Sequence, residues 1–348
     1  MMVMQGFDNS GVKEQFKGGG MTIARRGFVL RFLQVSVALL VMSMLSSCSK
    51  APSEPLRIAS SPWPGYEPVY LARDIGYLPR EKANIFELPS SDIALESFRN
   101  RSADLATLTL DEALELMAGG VRLRILFVMD GSNGGDAVMA SPNVKTLADL
   151  KGKRIVITNI PLGVYMLSRT LKAAQLTRED VQVIPSSESK HAEMYKQGRA
   201  DAFVSYEPFK SQLAALGAHV IFDSSQIPNE IFDLMVVHED VFQARRQEVC
   251  NVAHQWFRTL EYAKQSPEEA TRRIAERLGV SGQEYQAMLS GLSITTQQEN
   301  LRLLSGKEPA LVAPANNLVQ VMMQEGQLKR RVDIRQALDA DIEACIVK

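Results

Sequence analysis

A two-lobed α/β fold with a helical C-terminal region is what the sequence predicts, and three observations predict it. From residue 56 onward, short apolar strand-like runs alternate with helical ones, a pattern that builds parallel sheets covered by helices. A fresh strand and helix series starts at Thr146 after a Gly/Asn-rich stretch, and beyond Asp240 the periodicity is nearly all helical. The chain of 348 residues, 45% hydrophobic and 23% charged, is long enough for two units with their own cores, which excludes disordered and fibrous classes.

Leu56 to Ser60 alternates and opens the folded domain. A helix is expected from about Gly65 to Ile75, closed by Gly76, then a strand near Asn84 to Leu88, a helix from Ser91 to Asn100 and a strand from Asp104 to Leu108. Thr109-Leu110-Asp111-Glu112 reads as a capping box, the Thr hydroxyl accepting from a backbone N–H while Glu112 reaches back. That helix stops at Gly119-Gly120. Strands from Val121 to Met129 and from Ala137 to Ala140 flank the turn Gly131-Ser132-Asn133-Gly134-Gly135. The second series runs strand Arg154 to Thr158, helix Leu162 to Ala174, strand Val181 to Pro185, helix Ser187 to Gln197, strand Asp201 to Ser205 and helix Tyr206 to Leu216. A strand around Phe232 to Val237 carries the chain back. Crossings are therefore expected at 140–143 and 233–236, as two hinge strands, with residues 56–140 plus 236–348 forming lobe I and 141–235 lobe II.

The first 48 residues differ in character. Arg25, Arg26 and Arg31 precede an apolar run from Phe32 to Leu45 broken only by Gln34, Ser36 and Ser43, which is a signal-peptide layout. At about 14 residues the run is shorter than the roughly 20 of a permanent membrane helix, so cleavage is expected. Leu45-Ser46-Ser47-Cys48 resembles the lipobox of bacterial lipoproteins, with Cys48 as the lipid acceptor. This divides the N-terminal part into a leader and signal peptide at 1–47 and a lipid-anchored linker at 48–55. Removing residues 1–47 takes away five Lys/Arg and two Asp/Glu and moves the formal charge from -1 to -4. A mildly acidic domain has no basic field for nucleic acid. The remaining Cys250 and Cys345 are free to pair in an oxidising compartment, or to serve as small buried hydrophobes.

One ordered set of motifs carries a resemblance. Ser60-Ser61-Pro62-Trp63-Pro64-Gly65-Tyr66-Glu67-Pro68 is followed by Tyr70-Leu71-Ala72 and Gly76-Tyr77. Leu147-Ala148-Asp149-Leu150-Lys151-Gly152-Lys153 comes next, then Gly198-Arg199-Ala200-Asp201-Ala202 with Tyr206-Glu207-Pro208. Across most of residues 55–240 the chain thus resembles the SsuA/THI5-like, or NMT1-like, substrate-binding proteins of ABC transporters. The resemblance implies the type II periplasmic-binding-protein fold. It also implies a small-molecule ligand, no cofactor, an inner-membrane ABC permease as partner and a monomer held on the periplasmic face of a bacterial membrane by its N-terminal lipid.

Binding residues are sought where strands hand over to helices, because free backbone N–H groups and the helix dipole meet a ligand there. Four junctions qualify: Pro62 to Glu67, Leu108 to Asp111, Asn159 to Gly163 and Ser205 to Pro208. Trp63 and Tyr66 offer rings for a planar solute or a cation. Tyr206 and Glu207 offer a ring and a carboxylate from the other lobe, Thr107, Thr109 and Asp111 hydroxyls and a carboxylate, and Asn159 an amide. For each the alternative is structural: packing for the rings, capping for Thr109, an Asx turn for Asn159 and a first-turn carboxylate for Glu207. Ile160-Pro161-Leu162-Gly163 stands where sulfonate-binding relatives carry a Gly-Ser/Thr cluster. An aromatic, heterocyclic or amine solute is accordingly expected ahead of a small oxyanion.

The four histidines, His191, His219, His238 and His254, have no metal spacing, and neither a phosphate loop nor a nucleophile elbow is present. No catalytic residues are assigned. Two other functions compete with solute delivery. One is a ligand-sensing lipoprotein that regulates a membrane receptor. The other is an enzyme like the yeast-type relatives that make a thiamin pyrimidine, disfavoured because this chain has no Cys cluster.

Overall fold

The computed structural model describes residues 54–347. The leader and signal peptide expected at 1–47, the lipid acceptor Cys48 and most of the 48–55 linker lie outside the described residues. Six strands, β1 (Leu56–Ser60), β2 (Ala83–Glu87), β3 (Leu105–Thr109), β4 (Leu123–Ser132), β10 (Phe232–His238) and β11 (Leu292–Ile294), form one sheet in the order β11-β4-β10-β3-β1-β2. Five more, β5 (Asp136–Ala140), β6 (Arg154–Ile157), β7 (Gln182–Pro185), β8 (Ala202–Tyr206) and β9 (His219–Asp223), form a second in the order β7-β6-β8-β5-β9. In each sheet the strands of the β/α series run parallel, β1 with β2 and β3, β6 with β7 and β8. Strands β10 and β5 run antiparallel to these series, and β4 and β9 pair antiparallel with them in turn.

Helices α1 (Glu67–Asp74), α2 (Ser91–Arg99) and α3 (Leu110–Ala118) belong to the first series, and α4 (Pro161–Ala174), α5 (His191–Lys196) and α6 (Phe209–Ala215) to the second. The C-terminal region holds α7 (Glu239–Ala244), α8 (Arg246–Gln265), α9 (Pro267–Leu278), α10 (Gly282–Leu289), α11 (Gln297–Leu304), α12 (Val312–Gln324) and α13 (Glu343–Ile346). Local chemistry explains where they start. Glu112 accepts the Thr109 backbone N–H at 2.9 Å, so α3 opens on the expected capping interaction. Pro161 begins α4, where a missing N–H costs nothing.

The crossings are displaced from the positions the apolar pattern predicts. The chain leaves the first sheet after Ser132 and is already in the second at Asp136, because Asp136–Ala140 pairs with β8 on one side and β9 on the other. It returns between Asp223 and Phe232, and all of β10 is paired within the first sheet. Gly134 makes the first crossing possible: its φ of +107° is a conformation that side chains oppose. Strands β9 and β11 were not anticipated either; β11 pairs with the end of β4, three residues against Asp130 to Ser132.

Helix α8 packs on the first sheet through Trp256, stacked on Phe127 with ring centroids 5.2 Å apart. Cys250 of α8 and Cys345 of α13 form a disulfide, with Cα atoms 4.4 Å apart, that ties the last helix to the body. Among the described residues no helix is long and apolar enough to cross a membrane.

Candidate functional site

All four strand-to-helix junctions converge on one cavity. Its wall takes Ser61, Pro62, Trp63 and Tyr66 from the first junction, Thr109 and Glu112 from the second, Leu162 from the third and Tyr206 from the fourth, with Ser91, Asp136 and Asp233 completing it. The cavity measures about 20 Å³, roughly the room one water needs. At this size the cavity holds no organic solute unless the surrounding side chains move.

Trp63 is fixed by the backbone on both sides. It is extended, Pro64 follows it in a single 3-10 turn, and its indole N–H donates to the Asp130 carboxylate with both oxygens at 3.2 Å. A Cβ at Gly65 would lie 1.9 Å from the Asp130 carboxylate, so a glycine at this position is what lets β4 approach the turn. Tyr66 completes the corner by donating its hydroxyl to Asp233. The Trp63 ring lies 6.5 Å from that of Tyr66 and 6.0 Å from that of Tyr206, which meets it edge-on from the other sheet.

Carboxylates dominate the electrostatics. Glu112, Asp136 and Asp233 line the cavity, and the described residues that line it include no Lys, Arg or His. Asp130 and Asp233 face each other across the β4/β10 register. Two buried like charges so placed do not both ionise, and the pair holds a proton. Burial pushes the Asp136 carboxyl up to about 6. Burial also drives Asp111, Glu112, Asp130 and Asp233 upward, reinforced by Asp111 at Glu112 and by Asp130 at Asp233. Glu112 Oε1 and Asp111 Oδ2 are buried without a hydrogen-bond partner. The nearest ammonium, Lys210, is engaged with Glu207 at 3.3 Å and the Gly134 carbonyl at 2.9 Å.

A polar latch joins the lobes beside the cavity. Glu188, from the second lobe, accepts the Ser91 backbone N–H at 2.9 Å and the Ser91 hydroxyl at 3.0 Å at the start of α2. The Tyr206 hydroxyl donates to the same oxygen as Ser91, and the other oxygen accepts Thr158 Oγ1 at 2.9 Å. A helix N-terminus favours a carboxylate in this position.

Of the residues singled out in the sequence, Trp63, Tyr66, Thr109 and Tyr206 meet in the cavity wall. Thr107 lies on β3 with its hydroxyl donating to Ser60 at 3.2 Å. Asn159 lines a separate, wider cavity of about 640 Å³ with Thr158 and Gln327. Glu207 is buried against Lys210 and the Ser211 N–H. Asp111 is buried beside Glu112, outside the wall. Sequence reasoning missed Asp136, Asp233, Asp130, Ser91 and Glu188, and read Glu112 only as a capping residue. The signal was there for the three aspartates, each a charge set in an apolar strand: Leu126-Phe127-Val128-Met129-Asp130, Asp136-Ala137-Val138-Met139 and Phe232-Asp233-Leu234-Met235.

Two sheets linked by two crossings, with the strand ends of both facing one cavity, define the bilobal architecture of periplasmic binding proteins. The chain belongs to the NMT1/THI5-like family, whose model it matches over residues 63–270. It is 26% identical over 154 residues to an Escherichia coli (strain K12) protein named for binding aliphatic sulfonates, an alignment covering 43% of this chain and 48% of that one. The chain therefore spans about half the length of that curated relative. Among solved structures it resembles the alkanesulfonate-binding protein SsuA from Xanthomonas axonopodis pv. citri bound to MOPS, with a TM-score of 0.70, 18% identity and coverage of 83% of this chain and 99% of that one. It also resembles the desulfurization enzyme DSZB, with a TM-score of 0.61, 18% identity and coverage of 85% and 99%. These likenesses are of fold, and one fold here carries both binding proteins and an enzyme, so the site has to decide the function.

Proposed function

We propose that this protein is the solute-binding component of an ABC importer, an extracytoplasmic lipoprotein anchored through Cys48 that closes on a small molecule and presents it to the permease. The observation that carries the reading is the single cavity to which all four strand-to-helix junctions, two from each lobe, contribute side chains. Binding by closure needs residues from both lobes and a way out, and the crossings at 133–135 and 224–231 are the natural hinges. Trp63, Tyr66, Thr109 and Tyr206 are the direct contacts. Thr107 and Glu207 support them from behind through Ser60 and Lys210. Asn159 lines the separate wider cavity and takes no part in this contact set.

The cavity wall contains no serine or cysteine paired with a histidine, which favours capture over chemistry among the described residues. Mass spectrometry of small molecules that co-purify with the protein, followed by thermal shift with the released compound, tests the reading. A solute that raises the melting temperature of the parent and fails to do so in a folded Trp63→Ala variant supports it. Equal binding by parent and Trp63→Ala places the solute elsewhere and refutes it.

A further inference from the structure

We propose, building on the solute-binding reading, that the cavity selects an organic cation: a protonated amine on a planar or aromatic body, with its ammonium group held by Glu112 in the field of Asp136 and Asp233 and its body against Trp63, Tyr66 and Tyr206. Three carboxylates line the cavity and no cationic side chain does, so the wall has one sign. Glu112 is 2% exposed and keeps Oε1 without a hydrogen-bond donor in the cavity wall. An orphaned buried acceptor costs stability, and an N–H donor from the solute satisfies it. The three rings of the wall supply the second half of ammonium recognition, aromatic surface against which a cation and its apolar body pack. A sulfonate fits poorly, since it would bring a further negative charge into a low-dielectric wall of carboxylates. The groups that suit an oxyanion, the N-terminus of α2 with Ser91 and the hydroxyls of Thr158 and Tyr206 from the second lobe, are already filled by the carboxylate of Glu188. A metal ion is the other cation to weigh, and among the described residues no three carboxylate, His or Cys side chains are grouped to hold one.

The electrostatic neighbours define the pH response. Asp136 faces Lys210 and Glu207, Glu112 faces Asp111 and Glu188, and Asp233 faces Asp130 and Tyr66. With these acids protonated toward acidic pH, a cation must displace protons to bind, so its affinity rises as pH rises. An anion shows the opposite slope.

The test is isothermal titration of the whole protein with three probes of one shape: benzylamine, benzyl alcohol and benzenesulfonate. Benzylamine is expected to bind at least about tenfold more tightly than the alcohol, the gain of one charge-assisted hydrogen bond. Its affinity should increase several-fold between pH 5.5 and pH 7.5, as the Asp136 carboxyl beside the bound cation loses its proton. Glu112→Gln should erase most of the amine preference while Trp63→Ala weakens all probes that bind. The inference is overturned if benzylamine does not bind, if either other probe matches it, or if its affinity falls with rising pH. Preferential binding of the alcohol or sulfonate that is lost in Trp63→Ala leaves the solute-binding reading intact and removes only the cation; amine binding indifferent to Trp63→Ala removes the site itself.

Discussion

Glu67 and Glu112 are two buried carboxylates at the starts of two first-lobe helices, 1% and 2% exposed, and the protein treats them in opposite ways. Glu67 is given a cation. Arg277 of α9 donates its Nε to it at 2.7 Å, bridges on to Glu87 at 2.8 Å and lies 3.9 Å over the ring of Tyr70. Glu112 has one oxygen on a backbone N–H and the other on nothing. Burial raises both groups, Glu67 to about 7 in spite of Arg277. The difference teaches where the fold is completed from within and where it is not: the α1/α9 clamp is self-sufficient, whereas the cavity wall keeps an unpartnered carboxyl oxygen of a kind that stable cores avoid.

Breaking the self-sufficient side should have the largest effect. Arg277→Ala leaves Glu67 buried without its partner and is expected to cost about 3–5 kcal/mol in denaturant unfolding. A loss below about 1 kcal/mol would mean that Glu67 rehydrates and the contrast with Glu112 is smaller than drawn. Next comes the disulfide, which belongs to the same stabilising region. Replacing both Cys250 and Cys345 with Ser should cost roughly 2–4 kcal/mol, because the bond closes a long loop whose entropy the unfolded chain then regains.

The pH dependence sharpens the cavity side. Asp136 titrates near 6 in the folded protein against 3.8 ordinarily, so its contribution is full at acidic pH and is lost as pH rises through the folded value. Stability should therefore fall between about pH 4 and pH 7 by roughly 2 kcal/mol from this group alone, and Asp136→Asn should flatten that fall. His191 works the other way: burial holds it down to about 4, and its contribution is lost as pH drops through the 6.5 to 4 interval. The two contributions oppose each other across about pH 4 to 6.5 and nearly cancel in the parent, so melting temperature should rise more steeply with pH over that interval in Asp136→Asn than in the parent. The smallest expected change is in Glu112→Gln, less than about 1 kcal/mol either way without solute, because burial already favours the neutral carboxyl and the amide oxygen keeps the Thr109 cap. A larger loss in denaturant unfolding would show that Glu112 serves chiefly to start α3.

Much of the fold was legible because strand and helix periods alternate cleanly and are punctuated by Gly and by capping residues. The crossings were not legible. Asp136–Ala140 is buried throughout, and a strand buried on both faces reads alike whichever sheet it joins. The three residues of β11 are too few to show a period. At the site, junction logic found the groups that stand at helix starts, Trp63, Tyr66, Thr109 and Tyr206. It overlooked Asp130, Asp136 and Asp233, which stand inside or at the ends of strands and meet only through cross-strand register and the return of β10. Glu188 and Ser91 are 97 residues apart, and nothing local announces their pairing.

A crystal structure of the protein with its co-purified solute tests the account most directly. Density between the rings of Trp63 and Tyr206, with a nitrogen within hydrogen-bond reach of Glu112 Oε1, is the predicted result. Solute bound away from that cavity, or an anionic group facing Glu112, would contradict it.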